Sequence, residues 1–476
     1  MKNIILLADA YKYSHHKLYY PGTTHIYSYL ESRGGKFDNT VFFGLQYFLK
    51  EYLSGQSFTQ KDLDEAAEFL PKVFNRNDVF DKEKFQYILD RYNGFLPVRI
   101  KAVPEGTVVP VNNVLMTIEN TDPKCFWLTN FLETLLMQVW YPCTVATLSR
   151  EIKKTISDYF DQTATEEAYA GLEFILNDFG LRGVSSVESA ALGGSAHLIN
   201  FLGSDNLVGS QLIQKYYNTK DVYSKSIPAT EHSICTLLGP KGESEIYRHL
   251  LNTFPNGIIA CVSDSYNIFH ACEKYWGDLF KDQIMERDGV LVIRPDSGDP
   301  TKTLLTLFDI LFQQFGYTIN NKGYKVLPPQ IRVIQGDGVN YESICDIYAQ
   351  LSANTISAEN LVLGMGGALL QKVDRDTQKF AIKCSHAIVN GEEVNVQKSP
   401  VEMDGNGQLH ESFKKSKSGR LKLIQTESGL KTIQENDPNP AENHLVTVFE
   451  NGVLVRDWQF EEIRERAQVQ HNLEQV

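Results

Sequence analysis

Four short apolar runs between residues 258 and 367 end in the residues best suited to chemistry. The runs are IIACVSDSYN, VLVIRPDSGDP, IRVIQGDGVN and LVLGMGGALL. Carboxylates at their ends can hold hydroxyl groups or a hydrated magnesium ion, and glycines let backbone N–H groups approach a phosphate. The carboxylates are Asp264, Asp296, Asp299 and Asp337, and the glycines are Gly336, Gly338, Gly366 and Gly367. This combination predicts a phosphorylated sugar as substrate.

His232 is the strongest candidate for proton or phosphoryl transfer. It ends the segment SIPATEH, between Glu231 and Ser233. A purely structural histidine is the alternative. If the segment is a barrel strand, its end points at the active site, where a histidine near neutral pH can transfer protons or accept a phosphoryl group. A carboxylate such as Asp264 could orient the ring.

Two further segments could recognise a ligand. In NDFGLRG, Phe179 and Arg182 could offer a stacking face and a cation to a flat heteroaromatic ring, although an aromatic residue before glycine is often part of a core. In VLVIRPDSG, a β-to-α turn with a capping Ser or Asp explains the polar residues. Arg294 is harder to explain in that way, because a cation at a buried strand end needs a carboxylate or a phosphate.

The glycine-rich ends GDG and LGMGG could be tight turns alone. In barrels, however, phosphate commonly binds to the loops after late strands, at backbone N–H groups and a helix N-terminus. LGMGG is therefore the phosphate candidate. Basic residues outside this series could reach a phosphate site from another subunit, and they are Arg33, Arg375, Lys383 and Lys398.

Continuous Val/Ile/Leu runs are typical of buried parallel strands, and helical spacing over 301–315 predicts a crossover helix. With FILNDFGLRG and SIPATEH, at least six strand-like units lie between residues 170 and 370. The pattern predicts an irregular (β/α) barrel-like domain over 149–385, and an open doubly wound sheet is the alternative. Residues 1–148 and 386–476 are expected to form a β-rich α+β domain from both chain ends. It would include an antiparallel unit at 96–119, a long helix from about 124 that leads into a second one, and a hairpin turning at Asn451-Gly452.

Composition narrows the class of protein. Seven scattered cysteines without a C-x-x-C pair argue against a disulfide framework and a zinc site, and they favour the reducing cytoplasm. The apolar run before Asp9 is too short for a signal peptide, and no segment approaches membrane length. A formal net charge of −13 disfavours non-specific nucleic-acid binding.

A set of ordered motifs then narrows the function. They are DAYKYSHH, ESRGG, FFGLQYFL, KAVPEG, NDFGLRGVSS, GSDN, PATEHS, VSDSYN, IRPDSG, VIQGDGV and GMGGALLQKVDRD. In this order they resemble the nicotinamide phosphoribosyltransferases, which are type II phosphoribosyltransferases, from about residue 4 to about 470. The resemblance implies a head-to-tail homodimer that makes nicotinamide mononucleotide and pyrophosphate from nicotinamide and phosphoribosyl pyrophosphate. It also implies Mg²⁺, carried by pyrophosphate rather than by a protein ligand set, and ATP as co-substrate.

The resemblance implies a role for each matching residue. His232 would be phosphorylated and oriented by Asp264, and Phe179 with the partner subunit's Tyr11 would sandwich the nicotinamide ring. Arg182 and Asp205 would hold the surroundings and the amide of nicotinamide. The implied contacts to sugar and phosphates come from Arg294 and Asp296 for ribose and phosphate groups, Gly336 and Asp337 for the ribose side, Gly366 and Gly367 for the 5′-phosphate, and Arg33, Arg375, Lys383 and Lys398 for pyrophosphate.

Asp205 helps to distinguish the leading functional hypothesis from the alternatives. A carboxylate accepts a hydrogen bond from the amide of nicotinamide and repels the carboxylate of nicotinic acid, which argues against a nicotinate phosphoribosyltransferase. An inactive relative acting as a binding protein would be expected to have lost His232, Asp296 or the glycine-rich ends. Three positions depart from the family pattern, namely Asn177, Leu181 and Ala381, and the first two could alter the tunnel that admits nicotinamide.

Overall fold

A computed structural model describes residues 3–403, 407–411 and 416–469. The described chain divides into two compact units. The first unit comprises residues 3–147, 215–219 and 374–467, and the second comprises 148–214, 220–373 and 468–469. Strand β13 crosses residue 385, the limit expected from the sequence, and its residues lie in the first unit.

The regular elements fall into an antiparallel set and a parallel set. The strands are β1 Thr23–Ser32, β2 Asn39–Val41, β3 Val98–Ala102, β4 Val108–Pro110, β5 Val114–Asn120, β6 Leu176–Asp178, β7 Gly257–Val262, β8 Gly289–Arg294, β9 Thr318–Ile319, β10 Lys325–Val326, β11 Ile331–Gln335, β12 Leu361–Met365, β13 Phe380–Val389, β14 Glu392–Asn395, β15 Val401–Met403, β16 Leu409–Glu411, β17 Leu421–Thr426, β18 Gly429–Gln434, β19 Val446–Glu450 and β20 Val453–Leu454. The α-helices are α1 His15–Leu18, α2 Leu45–Phe48, α3 Gln60–Phe74, α4 Lys82–Tyr92, α5 Leu128–Phe131, α6 Glu133–Met137, α7 Trp140–Thr163, α8 Val187–His197, α9 Leu207–Tyr216, α10 His232–Cys235, α11 Glu243–Thr253, α12 Ile268–His270, α13 Lys281–Met285, α14 Pro300–Phe315, α15 Tyr341–Ala353, α16 Gly367–Leu370 and α17 Phe460–Ala467.

The first unit is built on a seven-stranded antiparallel sheet in the order β14-β13-β1-β5-β3-β19-β20. Every residue of β5 is buried, as expected of a strand covered on both faces. Asn451 and Gly452 join β19 to β20 with φ of 50° and 82°, the positive angles that a type I′ turn requires. The sequence prediction of a β-rich unit from both chain ends, with this hairpin, is confirmed.

The second unit contains a curled five-stranded parallel sheet in the order β6-β12-β11-β8-β7. Single parallel bridges continue it at both edges. Asp178 pairs with Ser204, Gly203 pairs with Lys225, and Ala229 pairs with Ala260 of β7. The sheet is therefore an irregular barrel, and the predicted α/β fold is confirmed.

Helix α14 has one buried face, as the periodicity predicts. Asp299 caps it by accepting a hydrogen bond of 2.9 Å from the N–H of Lys302, and Pro300 occupies its first turn. Its buried face carries Leu304, Leu307, Phe308, Leu311, Phe312 and Phe315. Asp299 thus acts as a helix cap, the role that the sequence alternative assigned to this turn.

Two sequence expectations differ from the structure. SIPATEH forms no regular strand. It meets β7 through a single bridge at Ala229 and through Thr230, whose hydroxyl oxygen accepts the N–H of Val262 at 3.0 Å. In place of the expected long helix from about 124 leading into a second one, the structure has three helices, α5, α6 and α7. The breaks fall at Leu132 and Gln138, where ψ is −7° and −13° instead of about −42°. Among the described residues, no helix is long and apolar enough to cross a membrane.

A buried carboxylate lies in the core of the first unit. Glu105 accepts hydrogen bonds from the N–H of Gln46 at 2.6 Å, the N–H of Gly44 at 3.1 Å and the hydroxyl of Tyr217 at 2.9 Å. Burial raises the pKa of Glu105 to about 7, although these hydrogen bonds act in the opposite direction. The folded state therefore favours the protonated form more than the unfolded state does.

This shift predicts a pH-dependent stability. The contribution of Glu105 is fully present below the unfolded pKa near 4.5 and is lost as pH rises through about 7. Between pH 5 and 8 we expect wild type to lose up to a few kcal/mol that Glu105→Gln does not lose. Thermal unfolding of both proteins across this range, with exposed Glu392→Gln as the control, measures the difference. Parallel curves for wild type and Glu105→Gln would contradict it.

Candidate active site

The candidate site in the second unit lies where the parallel strands end. Phe179, Gly366, Gly336 and the segment from Pro295 follow β6, β12, β11 and β8. Asp264 lies two residues beyond β7. Carboxyl ends of parallel strands meet at one edge of the sheet, so residues far apart in sequence come together there.

His232 is held between two carboxylates. Its Nε2 lies 3.0 Å from Oδ1 of Asp264, and its Nδ1 lies 3.8 Å from Oδ2 of Asp296. The side chain of Asp264 is 4% exposed, whereas that of His232 is 45% exposed. A buried carboxylate therefore fixes one ring nitrogen while the ring stays open to a ligand.

The second oxygen of Asp264 organises the loop after β8. Its Oδ2 accepts hydrogen bonds from the N–H of Asp296 at 3.1 Å and from the hydroxyl of Ser297 at 2.5 Å. Arg294 donates through Nη2 to Oδ2 of Asp296 at 3.1 Å. The Nε atom of Arg294 is buried without a hydrogen-bond partner in the described chain, which leaves a donor for an anionic ligand.

Phe179 lies across the ends of the strands. It packs against the buried cluster of Ala260, Val292 and Ile334, and its N–H donates to the carbonyl of Met365 at 3.1 Å. A Cβ atom at Gly364 would lie 2.0 Å from Cε2 of the ring. Gly364 therefore makes room for this aromatic face, which is only partly buried and could stack on a flat ring.

Asp205 and its neighbours form the side of the site near β6. The hydroxyl of Ser226 donates to Oδ1 of Asp205, and the Asp205 N–H donates to the carbonyl of Asp178 at 3.0 Å. Asp205 and Arg182 are exposed. An exposed carboxylate with one oxygen already bonded can offer the other oxygen to a ligand donor.

The glycine-rich ends have distinct environments. Gly366 caps the short helix α16, which begins at Gly367, and helix starts carry N–H groups without an intrahelical acceptor. The turn after β11 is stabilised by Gln335, whose Nε2 donates to the carbonyl of Asp337 at 2.7 Å. Asp337 is exposed beside the partly buried Gly336. Both ends are compatible with the phosphate and ribose roles predicted for them.

The remaining predicted residues belong to the first unit. Tyr11 is 58% exposed. Burial lowers the pKa of Lys383, and the charges of Arg33, Lys398 and Arg375 lower it further, while Glu133 opposes them. These four cations thus form one basic cluster. Arg33 donates through Nε to Oε1 of Glu31 at 2.7 Å, and its Nη2 is buried without a hydrogen-bond partner in the described chain.

Three polar side chains near these sites were missed by the sequence reasoning. Ser297 and Ser226 bond the carboxylates of Asp264 and Asp205, and Glu133 faces the basic cluster. Ser297 could have been found from its place in the RPDSG motif. Neither Ser226 nor Glu133 carries a local signal, because each meets its partner through the fold.

Potential metal ligands do not cluster within the described ranges. There, no group of three or more His, Cys, Asp and Glu side chains has the arrangement of a metal site. Asp264 already accepts from protein donors on both oxygens, and Asp296 pairs with Arg294. The oxygens of Asp264 are therefore already bonded by donors of the chain itself.

Known proteins match this chain along its length. Residues 174–452 match the nicotinate phosphoribosyltransferase (NAPRTase) family, and residues 3–100 match the nicotinamide phosphoribosyltransferase N-terminal domain. The chain is 46% identical, over 98% of each sequence, to a protein of Xanthomonas campestris pv. campestris named nicotinamide phosphoribosyltransferase. The chain belongs to the nicotinamide phosphoribosyltransferase family. The resemblance inferred from the motifs is thereby confirmed.

A second member of the nicotinamide phosphoribosyltransferase family, from Acinetobacter baylyi, is 31% identical over 96% of this chain and 95% of its own. A crystal structure of nicotinate-nucleotide pyrophosphorylase from Pyrococcus furiosus superimposes with a TM-score of 0.59 at 15% identity. The match covers 98% of this chain and 94% of that one. This structural likeness supports the fold alone.

Proposed function

We propose that the protein is a nicotinamide phosphoribosyltransferase, a pentosyltransferase of NAD salvage. It transfers phosphoribosyl from phosphoribosyl pyrophosphate to nicotinamide and yields nicotinamide mononucleotide and pyrophosphate. The observation that carries this proposal is the 46% identity over 98% of the chain with a protein of that name. The strand-end carboxylates, the aromatic face and the basic cluster supply the chemistry that the reaction needs.

The transferred bond joins C1 of ribose to pyrophosphate. As it breaks, positive charge develops on the sugar and negative charge on the leaving group. Carboxylates such as Asp296 favour the first. The cluster of Arg33, Arg375, Lys383 and Lys398 is proposed to favour the second by reaching the site from another subunit. The pyridine nitrogen of nicotinamide is already a free nucleophile, so no general base is required. Mg²⁺ carried on the pyrophosphate oxygens adds charge neutralisation when it is bound.

His232 is proposed to accept a phosphoryl group from ATP. The N–H at Nε2 donates a hydrogen bond to Asp264, which leaves the Nδ1 lone pair free for attack. The new bond joins Nδ1 to the γ-phosphorus, and the bond between that phosphorus and the β,γ-bridging oxygen breaks to release ADP. Arg294, with its unpaired Nε donor, lies beside the same carboxylates and suits a phosphate oxygen.

Nicotinamide is proposed to bind at Phe179. The ring stacks on Phe179, Arg182 lies in its surroundings, and Asp205 accepts from the amide. The second face of the ring is covered by the partner subunit's Tyr11 in a homodimer. The exposure of Tyr11 in the single chain supports this arrangement, since an exposed tyrosine is available to a second subunit. The cytoplasm, with its reduced thiols, is the proposed compartment, and the seven described cysteines are free.

Replacement of His232 tests the reaction and the ATP coupling together. Wild type should form nicotinamide mononucleotide from nicotinamide and phosphoribosyl pyrophosphate with Mg²⁺, and ATP should stimulate it. His232→Ala should lose the whole ATP stimulation while retaining ATP-independent turnover, because the pyridine nitrogen needs no histidine. Product formation is measured with and without ATP, with the exposed His249→Ala as a matched control.

The outcomes separate the alternatives. Preferential product from nicotinic acid would favour a nicotinate phosphoribosyltransferase, and no product from either base would favour an inactive binding protein. Unchanged ATP stimulation in His232→Ala would refute the phosphohistidine. Equal loss in His249→Ala would show a general effect of histidine removal.

A further inference from the structure

A buried carboxylate that the reaction chemistry does not use lies directly behind the proposed nicotinamide subsite. Asp178 is the last residue of β6 and is 0% exposed. Its N–H donates to the carbonyl of Gly203 at 3.1 Å, and it pairs with Ser204 through a single parallel bridge. Asp178 therefore sits at the edge where the regular sheet gives way to single bridges.

The polar groups of Asp178 connect two loops. Its Oδ1 accepts from the N–H of Gly180 at 2.7 Å, and its Oδ2 accepts from Nδ2 of Asn206 at 2.9 Å. Its carbonyl accepts the N–H of Asp205 at 3.0 Å. One residue thus fixes the turn after β6 and the segment 203–206 relative to each other.

These two loops carry the residues that meet the two parts of nicotinamide. The turn after β6 presents Phe179 and Arg182, and the segment 203–206 presents Asp205. We infer that Asp178 is a positioning residue for nicotinamide, which sets the distance between the aromatic face and the carboxylate that accepts the amide; this rests on the proposed function. Asp178 touches no reacting atom in this arrangement and acts through its neighbours.

The chemistry of the contact favours this role over simple packing. The side-chain oxygens of Asp178 bond to neutral amide donors, and burial raises its pKa to about 6, with the charge of Asp205 acting in the same direction. A buried carboxylate without a cation is costly for the fold. The carboxylate accepts one hydrogen bond on each of its two oxygens. An amide at the same position has only one oxygen and cannot accept at both places.

The other contact of Asn206 makes a carboxylate necessary at position 178. Nδ2 of Asn206 also donates to the carbonyl of Ala190 at 2.9 Å. Rotating the Asn206 amide to accommodate an asparagine at 178 would set an oxygen against that carbonyl. Asp178→Asn should therefore remove the side-chain hydrogen bond between the two loops, while the backbone bonds of residue 178 to Gly203 and Asp205 remain.

Steady-state kinetics of Asp178→Asn tests the inference. Loss of a hydrogen bond to a charged group predicts a rise of about tenfold in KM for nicotinamide. We expect KM for phosphoribosyl pyrophosphate and kcat to stay within about threefold, because the strand ends that hold the sugar phosphates keep their own contacts. A structural defect alone would not single out one substrate.

Asn360→Ser is the matched control. Asn360 is equally buried, and it bonds the carbonyls of Lys325 and Ser357 just before β12 begins, at the end of the strand away from Gly366. It should lower the unfolding temperature and leave KM for nicotinamide unchanged. If Asp178→Asn does not fold, Asn206→Ala removes one of the two bonds and should raise the same KM by a smaller factor.

If Asp178→Asn folds and its KM for nicotinamide is unchanged, the inference is overturned and the proposed function stands. If Asp178→Asn does not fold, an unchanged KM in Asn206→Ala has the same meaning. The same KM rise in Asn360→Ser would also overturn the inference. Absence of nicotinamide binding to wild type by calorimetry, together with absence of product, would overturn the proposed function and this inference with it. A KM rise confined to nicotinamide supports both.

Discussion

Asp205→Asn should remove most of the preference for nicotinamide over nicotinic acid. One oxygen of Asp205 is bonded by Ser226, and the other would meet either the amide N–H of nicotinamide or the carboxylate of nicotinic acid. Two like charges in a closed site cost several kcal/mol, which predicts a wild-type preference of about 100-fold or more in kcat/KM. In Asp205→Asn, whose side chain is neutral, the preference should shrink to about tenfold or less.

The comparison needs both bases as competing substrates and a charge-matched control. Asp309→Asn removes the same charge from the exposed face of α14 in the same unit and should keep the wild-type preference. A folded Asp205→Asn with unchanged preference would show that other residues select the amide.

Gly364→Ala should abolish most productive binding of nicotinamide. The added methyl group would lie 2.0 Å from Cε2 and 2.4 Å from Cδ2 of Phe179. The ring cannot stay in place, because it is also packed on Ala260, Val292 and Ile334. Stacking of a flat base on an aromatic face contributes about 1–3 kcal/mol, so kcat/KM for nicotinamide should fall by about 5- to 150-fold.

Gly171→Ala is the matched substitution, since a Cβ atom there meets nothing within 4 Å. Thermal unfolding of both variants separates a displaced ring from a destabilised unit. Wild-type kinetics in a folded Gly364→Ala would mean that Phe179 does not hold the base.

The sequence was sufficient for the parts of the fold that depend on local pattern. The four apolar runs became β7, β8, β11 and β12 because buried parallel strands leave a continuous apolar signature. The prediction of a strand at SIPATEH was wrong. A segment that forms only one backbone bridge with the sheet needs no continuous run of apolar residues. The break between α5 and α6 was missed because Trp127, Phe131 and Leu135 are buried at the predicted spacing in spite of it.

The candidate site divides in the same way. Residues at strand ends, such as Asp264 and Asp296, could be grouped from sequence, because parallel topology brings strand ends together. Contacts between loops could not be predicted. Asp205 meets Ser226 across 21 residues, and Phe179 meets Gly364 through the direction of one side chain. Such pairs follow from tertiary packing, for which one sequence carries no periodic signal.

The irregular side of the barrel determines which part of the site is expected to move most easily. β7 and β8 share a ladder of six residue pairs, whereas the segment that leads to His232 is joined to β7 by one backbone bridge at Ala229 and by side-chain hydrogen bonds of Thr230. Segments with few ladder hydrogen bonds open locally at lower free energy than the core strands beside them. The residue proposed to gain and lose a phosphoryl group in each cycle is thus carried on a wall that has fewer backbone hydrogen bonds to its neighbour than β7 and β8 have to each other. That wall is expected to adjust to a bulky, charged imidazole more easily than the strands whose ends are proposed to bind the sugar phosphate.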